Sequence, residues 1–399
     1  MATNPTATVR VKKGRAKPLF CKHPWIFSGT VDTIEGDFQA GDIVEVVDIT
    51  GKPIGKGYIN AESKILVRLL TWDMQEQIDG QFWRRRLASA VDLRTDLLDL
   101  PAVTNAYRVV FSEGDGLPGL IVDRYGQSLV VQFLTAGMNV HRDEILAILG
   151  DLCAPTSVLQ RSDPSYQAVE GVPAGGMISG KELTAPIEIT ENGLRFLVDV
   201  KNGHKTGFYL DQRENRLAAS RLTKGRRVLD CFTYTGAFAV YADKIGGAAH
   251  VVAIDSSESA VELGRENARL NGAHNIEFRH GDVSSEIRAI KDTGETFDMA
   301  VLDPPKLART RAGVARAGKK YRETNLLAMQ VLKPGGILVT CSCSQHVSEE
   351  VFLRLINEAA REAGRNVQIL EPRTQAADHP ISAACPETKY LKCLFCRLS

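Results

Sequence analysis

The stretch Arg227-Val-Leu-Asp-Cys-Phe-Thr-Tyr-Thr-Gly236 decides the fold. Its apolar run ends in the acidic residue Asp230, and a turn rich in hydroxyl groups then leads to Gly236. A strand that enters a helix through such a turn brings backbone N–H groups close to a ligand. We therefore expect Asp230 and Gly236 at the carboxyl edge of a sheet, where open α/β sheets bind ligands.

Three later stretches also read as strands that end in an acid. They are His250-Val-Val-Ala-Ile-Asp255, Glu277-Phe-Arg-His-Gly-Asp282 and Phe297-Asp-Met-Ala-Val-Leu-Asp303. Asp255 follows the turn by about 20 residues, the spacing at which an acid reaches ribose hydroxyl groups. Helical and strand patterns alternate from Leu210 onwards, which predicts a doubly wound parallel sheet.

The turn lacks the glycine fingerprint of dinucleotide-binding proteins. It reads Asp230-x-Phe-x-x-Thr-Gly236 instead of G-x-G-x-x-G, so a ligand without phosphates fits better. A nicotinamide dehydrogenase is therefore the least favoured interpretation. At this point the sequence resembles the class I S-adenosylmethionine-dependent methyltransferases.

Two further motifs and the N-terminal region narrow the resemblance. The motifs are Lys205-Thr-Gly-Phe-Tyr-Leu-Asp-Gln-Arg213 and Thr340-Cys-Ser-Cys-Ser344. Residues 8–72 show short β-branched runs with glycines at each bend, which predicts a small barrel, and Lys22-His-Pro-Trp-Ile-Phe27 resembles PUA domains. Together these stretches resemble the bacterial large-subunit ribosomal RNA cytosine-5 methyltransferases that carry an N-terminal PUA domain. The resemblance implies an α/β chain with a PUA-like RNA-binding barrel at 1–76, a middle α+β domain at 77–185 and a Rossmann-like class I methyltransferase domain at 186–399.

The resemblance also implies S-adenosylmethionine as the cofactor. We expect Asp255 to bind its ribose, and Asp282 with Val283 to line its adenine. The methionine end is assigned to the turn residues Asp230, Phe232, Thr233, Thr235 and Gly236. The family pattern adds a lid over the cofactor, formed by Phe208, Gln212 and Arg213. Asp303 is counted among the cofactor-binding residues as well, and Asp230 has the alternative of only fixing the turn.

Asp303-Pro-Pro-Lys306 and the cysteine pair Cys341 and Cys343 carry the predicted chemistry. Carbon 5 of cytosine is a poor nucleophile, so an enzyme that methylates it first adds a thiolate to carbon 6. Resemblance to the Thr-Cys-Ser motif of RNA cytosine-5 methyltransferases favours Cys343 as the nucleophile, with Cys341 as its rival. We expect Asp303 to bond the N3/N4 edge of the base. The alternative is that both cysteines are simply buried.

Lys306 is a departure from the family pattern. Many RNA cytosine-5 methyltransferases have a second cysteine after the two prolines, and without it no base for the carbon-5 proton is evident. Two other functions stay open. One is methylation of a base amine, although such enzymes usually place an aromatic residue where Lys306 stands. The other is a non-catalytic RNA-binding or ribosome assembly factor that keeps the fold for its shape.

Length and composition predict a protein of two or three domains. The 399 residues are 44% hydrophobic and 24% charged, and no apolar run reaches membrane-spanning length. Eight cysteines without a secretory signal indicate free thiols in a reducing compartment, so we expect a cytoplasmic protein that does not bind a membrane. Cys393 and Cys396 lie three residues apart in a predicted strand and should point to opposite faces, so we predict no metal site.

Positive charge is concentrated in two segments of a chain whose net charge is only +1. Six Lys or Arg residues and no acid lie between Met1 and Val31, and seven and no acid lie between Lys306 and Arg322. Either segment alone is typical of a solvated surface, but the two together with a PUA-like module favour RNA. The expected partner is 23S ribosomal RNA or a large-subunit assembly intermediate, and related proteins suggest a homodimer.

Overall fold

The structure is a computed structural model that describes residues 5–162, 164–308 and 310–399, with the backbone alone for 164–166. The chain forms two compact units. The first comprises Met1–Asn192, Val198–Leu210 and Ala377–Thr388. The second comprises Gly193–Leu197, Asp211–Ala376 and Lys389–Ser399.

The first unit begins with a curled six-stranded sheet in the order β2-β6-β5-β4-β1-β3. Its strands are β1 (Ala7–Val11), β2 (Trp25–Phe27), β3 (Val31–Gly36), β4 (Ile43–Val47), β5 (Pro53–Ile59) and β6 (Ile65–Thr71), with a short helix α1 (Lys17–Phe20) after β1. Side chains alternate along each strand, so one set points inwards; Val9, Val46 and Val67 are fully buried. The short strands predicted between residues 8 and 72 are confirmed.

A second, five-stranded sheet in the order β11-β10-β9-β8-β7 completes the first unit. Its elements are α2 (Gly80–Asp92), β7 (Ala106–Phe111), β8 (Leu120–Tyr125), β9 (Ser128–Phe133), α3 (Ala136–Val140), α4 (Arg142–Cys153), β10 (Ser157–Gln160), α5 (Pro164–Glu170) and β11 (Gly176–Gly180). Phe82 and Trp83 of α2 share a buried core with Tyr58 and Leu70 of the first sheet. This common core explains why both sheets belong to one unit.

The second unit contains a seven-stranded sheet in the order β16-β15-β14-β17-β18-β20-β19, parallel except for β20. Before it in the chain come β12 (Ile187–Glu191), which belongs to the first unit, and β13 (Leu194–Val198). The remaining elements are α6 (Arg213–Ser220), β14 (Arg227–Cys231), α7 (Ala237–Lys244), β15 (His250–Asp255), α8 (Glu258–Leu270), β16 (Ile276–His280), α9 (Val283–Asp292), β17 (Phe297–Leu302), α10 (Val314–Val331), β18 (Leu332–Ser342), α11 (Glu349–Glu362), β19 (Val367–Arg373) and β20 (Lys392–Leu398). The predicted doubly wound sheet is confirmed.

Helices cover both faces of this sheet, and successive strand residues divide between two cores. Leu229 of β14 packs with residues of α9, α10 and α11, whereas its neighbour Val228 packs with residues of α6 and α7. In β20, Cys396 belongs to the first core and Cys393 to the second. The two cysteines therefore lie on opposite faces of the strand, as their spacing predicts.

Strand β18 starts earlier than the sequence pattern indicates. The sequence Lys333-Pro-Gly-Gly336 is typical of a turn that ends a helix, but these residues already belong to the strand. Leu332 pairs with Phe297 and Ile337 pairs with Met299, so the four residues 333–336 bulge opposite a single residue of β17. Gly335 has a positive φ of 76° within this bulge, and residues 333–335 are exposed.

Candidate active site

The carboxyl ends of β14, β15 and β17 meet at one edge of the second unit's sheet. These strands are parallel and in register, with Asp230 beside Ala253 and Val301. Asp255 ends β15, and Asp303 follows β17 directly. The N–H of Asp303 donates a 3.4 Å hydrogen bond to the carbonyl of Cys231. Three carboxylates from three strands therefore converge at the predicted edge.

The turn after β14 has an unusual backbone. Phe232 and Tyr234 adopt positive φ angles of 61° and 51°, and Gly236 follows with 78°. Left-handed conformations of bulky residues are strained and cluster where a protein binds a ligand. The turn is held by the N–H of Tyr234, which donates to Asp255 Oδ2 at 2.8 Å, and by that of Thr233, which donates to the carbonyl of Ile254 at 3.0 Å. The site thus stores strain at the place where the fold exposes backbone donors.

Asp230 is buried at the start of this turn. Burial is the main reason that its pKa is raised to about 7, and the negative charges of Asp303 and Asp255 raise it further. Thr233 Oγ1 opposes them by donating a 2.5 Å hydrogen bond to Asp230 Oδ2. An added positive charge would be stabilised by these three carboxyl groups, so the site suits a cationic ligand.

Two buried oxygen atoms near this edge have no bonded partner. Among the described residues, Asp230 Oδ1 and Thr235 Oγ1 form no hydrogen bond, although the N–H of Ala239 lowers the pKa of Asp230. The side chain of Gln212 instead lowers the pKa of the Cys341 thiol through a hydrogen bond. Buried polar atoms are normally bonded, so the two oxygens suit a ligand that carries an ammonium group, as S-adenosylmethionine does.

The acids of β15 and β16 have structural partners of their own. Asp255 accepts the N–H of Tyr234 on one oxygen and the N–H of Ser257, at 2.9 Å, on the other. Asp282 is exposed and caps α9 by accepting the N–H and the hydroxyl of Ser285. Val283 is buried in the core of the sheet. Each oxygen of Asp255 keeps a lone pair for a further donor, whereas Asp282 Oδ1 already accepts two hydrogen bonds and leaves Oδ2 for a ligand. Val283 has only its backbone to offer a ligand.

Gly236 has a packing role. A Cβ atom at this position would lie 2.8 Å from Cζ of Phe278, and a Cβ at Gly264 would lie 2.7 Å from Cε1 of the same ring. Two glycines thus admit the Phe278 ring between α7 and α8. The positive φ and this close approach account for the glycine without a ligand.

The three predicted lid residues have distinct surroundings. Phe208 belongs to the first unit, where it is buried and its N–H donates to Tyr125 Oη at 3.2 Å. In the second unit, Gln212 Oε1 accepts a 2.7 Å hydrogen bond from Asn215, and the guanidinium group of Arg213 pairs with Glu214 at 2.9 Å. All three side chains are at most 2% exposed, so any role in binding is that of a wall.

The two candidate nucleophiles differ in their surroundings. Cys341 lies inside β18, opposite Cys393 of β20, and its side chain is fully buried. Burial raises the pKa of the Cys341 thiol well above its ordinary value, and Cys393 and Asp303 raise it further. Cys343 follows the strand, is half-buried, and its Sγ lies 4.0 Å from the carbonyl oxygen of Pro304. Of the two thiols, that of Cys343 alone is both accessible and adjacent to the Asp303-Pro-Pro loop.

A hydroxyl network beneath Cys343 joins two loops. The hydroxyl of Ser342 donates to Tyr321 Oη at 2.9 Å, and Tyr321 Oη lies 3.1 Å from Ser344 Oγ. Ser344 Oγ accepts the N–H of Ala308 at 3.0 Å. Burial raises the pKa of Tyr321 to about 12, so the phenol stays protonated and able to donate. The network ties the loop after Asp303 to the loop that carries Cys343.

The sequence analysis missed two side chains near Cys343, Tyr321 and Lys392. Both are buried, and neither belongs to a motif that resembles the family pattern. The alternating pattern of β20 places Lys392 in a strand, but strand alternation alone does not show what a long side chain reaches. The signal available in the sequence was a lysine at the end of an apolar strand, because lysine is rarely buried without a partner.

The basic segment between Lys306 and Arg322 forms the loop after Asp303 and the first half of α10. Arg311, Arg316 and Lys319 are exposed, and none of them forms an ion pair or side-chain hydrogen bond among the described residues. Lys320 contacts Glu323 and Ser284, and Arg322 lies 4.0 Å from Glu362. Arg309 lies outside the described residues. Three cations are therefore available to an external anion.

One group of metal-ligating residues occurs in the first unit. His23, Cys385 and Glu387 place their ligand atoms within 4.8 Å of one another. The N–H of Trp25 donates to His23 Nδ1 at 3.2 Å, so in the neutral ring Nε2 carries the proton, and it lies 3.2 Å from Glu387 Oε2. The geometry is that of a histidine bonded to a carboxylate, with no lone pair on Nε2 for a metal.

Comparison with known proteins identifies both parts of the chain. Residues 166–392 match the family described as S-adenosylmethionine-dependent methyltransferase, and residues 9–72 match the PUA-like domain. In the described residues, no helix is long and apolar enough to cross a membrane.

The chain is similar over its length to proteins named ribosomal RNA large subunit methyltransferase I. It is 44% identical to that of Aeromonas hydrophila, over 98% of this chain and 99% of the relative. It is 45% identical to that of Tolumonas auensis over the same shares, and 41% identical to that of Yersinia pseudotuberculosis over 98% and 100%.

Among solved structures, the fold resembles a protein described as a methyltransferase in complex with SAH, with a TM-score of 0.85 and 20% identity over 98% of this chain and 99% of that one. A protein of Streptococcus mutans described as SAM-dependent methyltransferase gives a TM-score of 0.84 at 19% identity, over the same shares. At these identities the likeness establishes the fold alone.

Proposed function

The chain belongs to the S-adenosylmethionine-dependent methyltransferases and, within them, to the ribosomal RNA large subunit methyltransferase I family, and we propose that it methylates carbon 5 of a cytidine in 23S ribosomal RNA. The observation that carries the proposal is the contrast between the two cysteines. Cys343 is accessible and lies beside the Asp303-Pro-Pro loop, whereas Cys341 is sealed between strands.

S-adenosylmethionine is the cofactor, and when bound it supplies an activated methyl group. Asp230 Oδ1 and Thr235 Oγ1 offer their free positions to its methionine end, together with the turn residues Phe232, Thr233 and Gly236. Asp255 offers its remaining lone pairs to the ribose, and Asp282 with the backbone of Val283 faces the adenine. Gln212 and Arg213 close the site, and Asp303 lies between cofactor and base.

Cys343 acts as the nucleophile. Its thiolate forms a bond to carbon 6 of the cytosine, and the electron pair of the 5,6 double bond makes carbon 5 nucleophilic enough to accept the methyl group. Solvent water then takes the carbon-5 proton, the electron pair of that C–H bond re-forms the 5,6 double bond, and the Sγ–carbon 6 bond breaks to return the thiolate. The step raises the electron density of the pyrimidine, so a group that neutralises the ring is required.

Asp303 supplies that group. It follows β17 at the same edge as Cys343, and the carbonyl of Pro304 contacts the Cys343 sulfur. A carboxyl group that bonds the N3/N4 edge, and is protonated there, favours addition of the thiolate. Pro304 is buried and Pro305 is exposed, and their fixed φ angles stiffen the loop. Lys306, which follows them, is exposed to solvent.

The substrate RNA would contact the exposed cations Arg311, Arg316 and Lys319, which lie on the segment that leads away from Asp303. A PUA-like domain at residues 9–72 adds a second contact region of the same chemistry. Ribosomal RNA is made and modified in the cytoplasm of bacteria, so the enzyme would act there.

Incubation with labelled S-adenosylmethionine and 23S ribosomal RNA tests the proposal. We expect the label on carbon 5 of cytosine, and label on a base nitrogen or a ribose oxygen would refute the assignment. Cys343→Ala should lose methyl transfer while still binding the cofactor in calorimetry. Cys341→Ala is the matched control and should retain activity; the reverse result would make Cys341 the nucleophile.

A further inference from the structure

We propose that Lys392 is a positioning residue for Cys343: its ammonium group holds the turn that follows this cysteine and stabilises the thiolate form of its side chain. The inference deepens the proposed function and rests on Cys343 as the nucleophile. Lys392 touches neither base nor cofactor in this scheme and acts through the cysteine alone.

The geometry places Lys392 directly behind the nucleophile. Lys392 is the first residue of β20 and pairs with Ser342, the residue before Cys343. Its Nζ donates to the carbonyls of Ser344 and Val347, at 2.8 Å each. The side chain therefore bridges both ends of the short turn after Cys343, and two of its three N–H groups are used.

Burial makes the charge of Lys392 consequential. The residue is 7% exposed, and burial lowers the pKa of its amine to about 8. The Cys343 thiolate and Glu349 oppose this by raising the pKa of Lys392, while the positive charges of Lys389 and Lys306 lower it. Because pH 7 is below this pKa, the amine of Lys392 is mainly charged at pH 7. Electrostatic coupling between two groups is mutual. Since a Cys343 thiolate stabilises the charged form of Lys392, the Lys392 ammonium group stabilises the Cys343 thiolate in turn.

A purely structural role would not require a lysine. Two carbonyls can be bridged by a neutral amide donor, and a buried cation is costly unless an anion compensates for it. Glu349 is bonded to Lys389 at 3.0 Å, so its charge is already shared with another cation. Tyr321, which also interacts electrostatically with Cys343, remains a neutral phenol at this pH. The thiolate of Cys343 is thus the anion that best justifies a buried lysine here.

Alkylation of Cys343 by iodoacetamide as a function of pH tests the inference directly. The reagent is neutral and reacts with thiolates, and peptide mass spectrometry separates Cys343 from the exposed Cys21. Lys392→Gln keeps a hydrogen-bond donor and removes the positive charge, whereas Lys392→Arg keeps a donor and the charge. We expect Lys392→Gln to raise the midpoint pH of Cys343 alkylation by about one unit, the usual effect of a nearby opposite charge. Lys392→Arg should stay close to the wild type.

Lys244→Gln is the control, because Lys244 is an exposed lysine whose Nζ also donates to a backbone carbonyl, that of Gly272 at 3.2 Å, and its charge is not among those that act on Lys392. It should leave the midpoint pH of Cys343 alkylation unchanged. An unchanged midpoint in Lys392→Gln, with cofactor binding intact, would overturn the inference. Should Lys392→Gln fail to fold, a midpoint in Lys392→Arg that is raised above that of Lys244→Gln would overturn it as well, because arginine retains the charge. The alkylation profile does not depend on methyl transfer, so a failure of the proposed carbon-5 chemistry would show separately in the Cys343→Ala assay.

Discussion

Thr233 Oγ1 donates a 2.5 Å hydrogen bond to Asp230 Oδ2, and this is the bond that holds a buried carboxyl group at the entrance of a strained turn. The hydroxyl group satisfies one carboxyl oxygen, and the other has no partner among the described residues. The carboxyl group is consequently poised between its charged and neutral forms near pH 7.

Asp230→Asn should change how stability depends on pH. The pKa of Asp230 is raised from 3.8 to about 7 in the folded protein, so the folded state binds the proton more tightly than the unfolded chain. The free energy of unfolding of the wild type should therefore fall as the pH rises from about 4 to about 7, by up to about 4 kcal/mol relative to the variant. Urea unfolding of the cofactor-free protein, followed by circular dichroism, measures it. Parallel pH profiles of the two proteins would contradict the prediction.

Gly236→Ala should destabilise the second unit more than Gly247→Ala. Both glycines have positive φ, 78° and 68°, so each substitution should cost about 1 kcal/mol of backbone strain. Only at Gly236 does the new methyl group collide with Phe278, which should add roughly 1 to 3 kcal/mol. Circular dichroism is the signal to use, because Trp25, Trp72 and Trp83 all lie in the first unit. Equal losses of unfolding free energy in the two variants would show that the Phe278 ring moves aside without cost.

Tyr321→Phe should weaken catalysis without weakening cofactor binding. The substitution removes the phenol that bonds Ser342 and Ser344, and leaves buried hydroxyl groups unsatisfied at a cost of about 1 to 3 kcal/mol. Because Ser344 holds the loop after Asp303, we expect a lower kcat and an unchanged KM for S-adenosylmethionine.

A double-mutant cycle with Ser342→Ala checks that the network is the cause. Unfolding free energies of the two single variants and the double variant should give a coupling of about 1 kcal/mol. Additive losses would mean that the two hydroxyl groups act independently, and that the activity loss has another origin.

Replacing Arg311, Arg316 and Lys319 together by glutamine should weaken RNA binding. If each contacts a phosphate of an unpaired segment, the slope of log affinity against log salt should become shallower by about 2. Filter binding at several salt concentrations measures it. The control replaces Arg265 and Arg269 of α8, which are paired with Glu262 and Glu266 and should leave the slope unchanged. Equal effects of both sets would indicate a general charge effect.

The catalytic sheet could be predicted because its strands have local sequence patterns. A buried run that ends in an acid needs no distant residue to be recognised, and the pattern correctly predicted β14, β15 and β17 with their acids at one edge. Glycine-rich bends likewise located the strands of the N-terminal sheet. Residues 333–336 have a turn-like sequence but lie in a strand, because they form a bulge opposite β17 in which Gly335 keeps a positive φ of 76°.

Other features depend on residues far apart in the chain. Ala377–Thr388 belongs to the first unit although the segments on either side of it belong to the second. Its buried Asp378 accepts the N–H of Arg108 at 2.9 Å, and its carbonyl accepts from Arg94 at 2.6 Å, contacts that span more than half the chain. No local sequence pattern predicts that this segment packs with residues so far away in the chain. For the same reason the bridge from Lys392 to the turn after Cys343 was not foreseen.

The position of β20 has a consequence for the newly synthesised protein. This strand is hydrogen-bonded on one side to β18 and on the other to β19, and it is built from residues 392–398. While a ribosome is still translating the preceding residues, β19 has no neighbour and the loop behind Cys343 has no brace. Because β18 and β19 both precede β20 in the chain, they leave the ribosome first, and the brace behind Cys343 forms only once β20 has inserted between them.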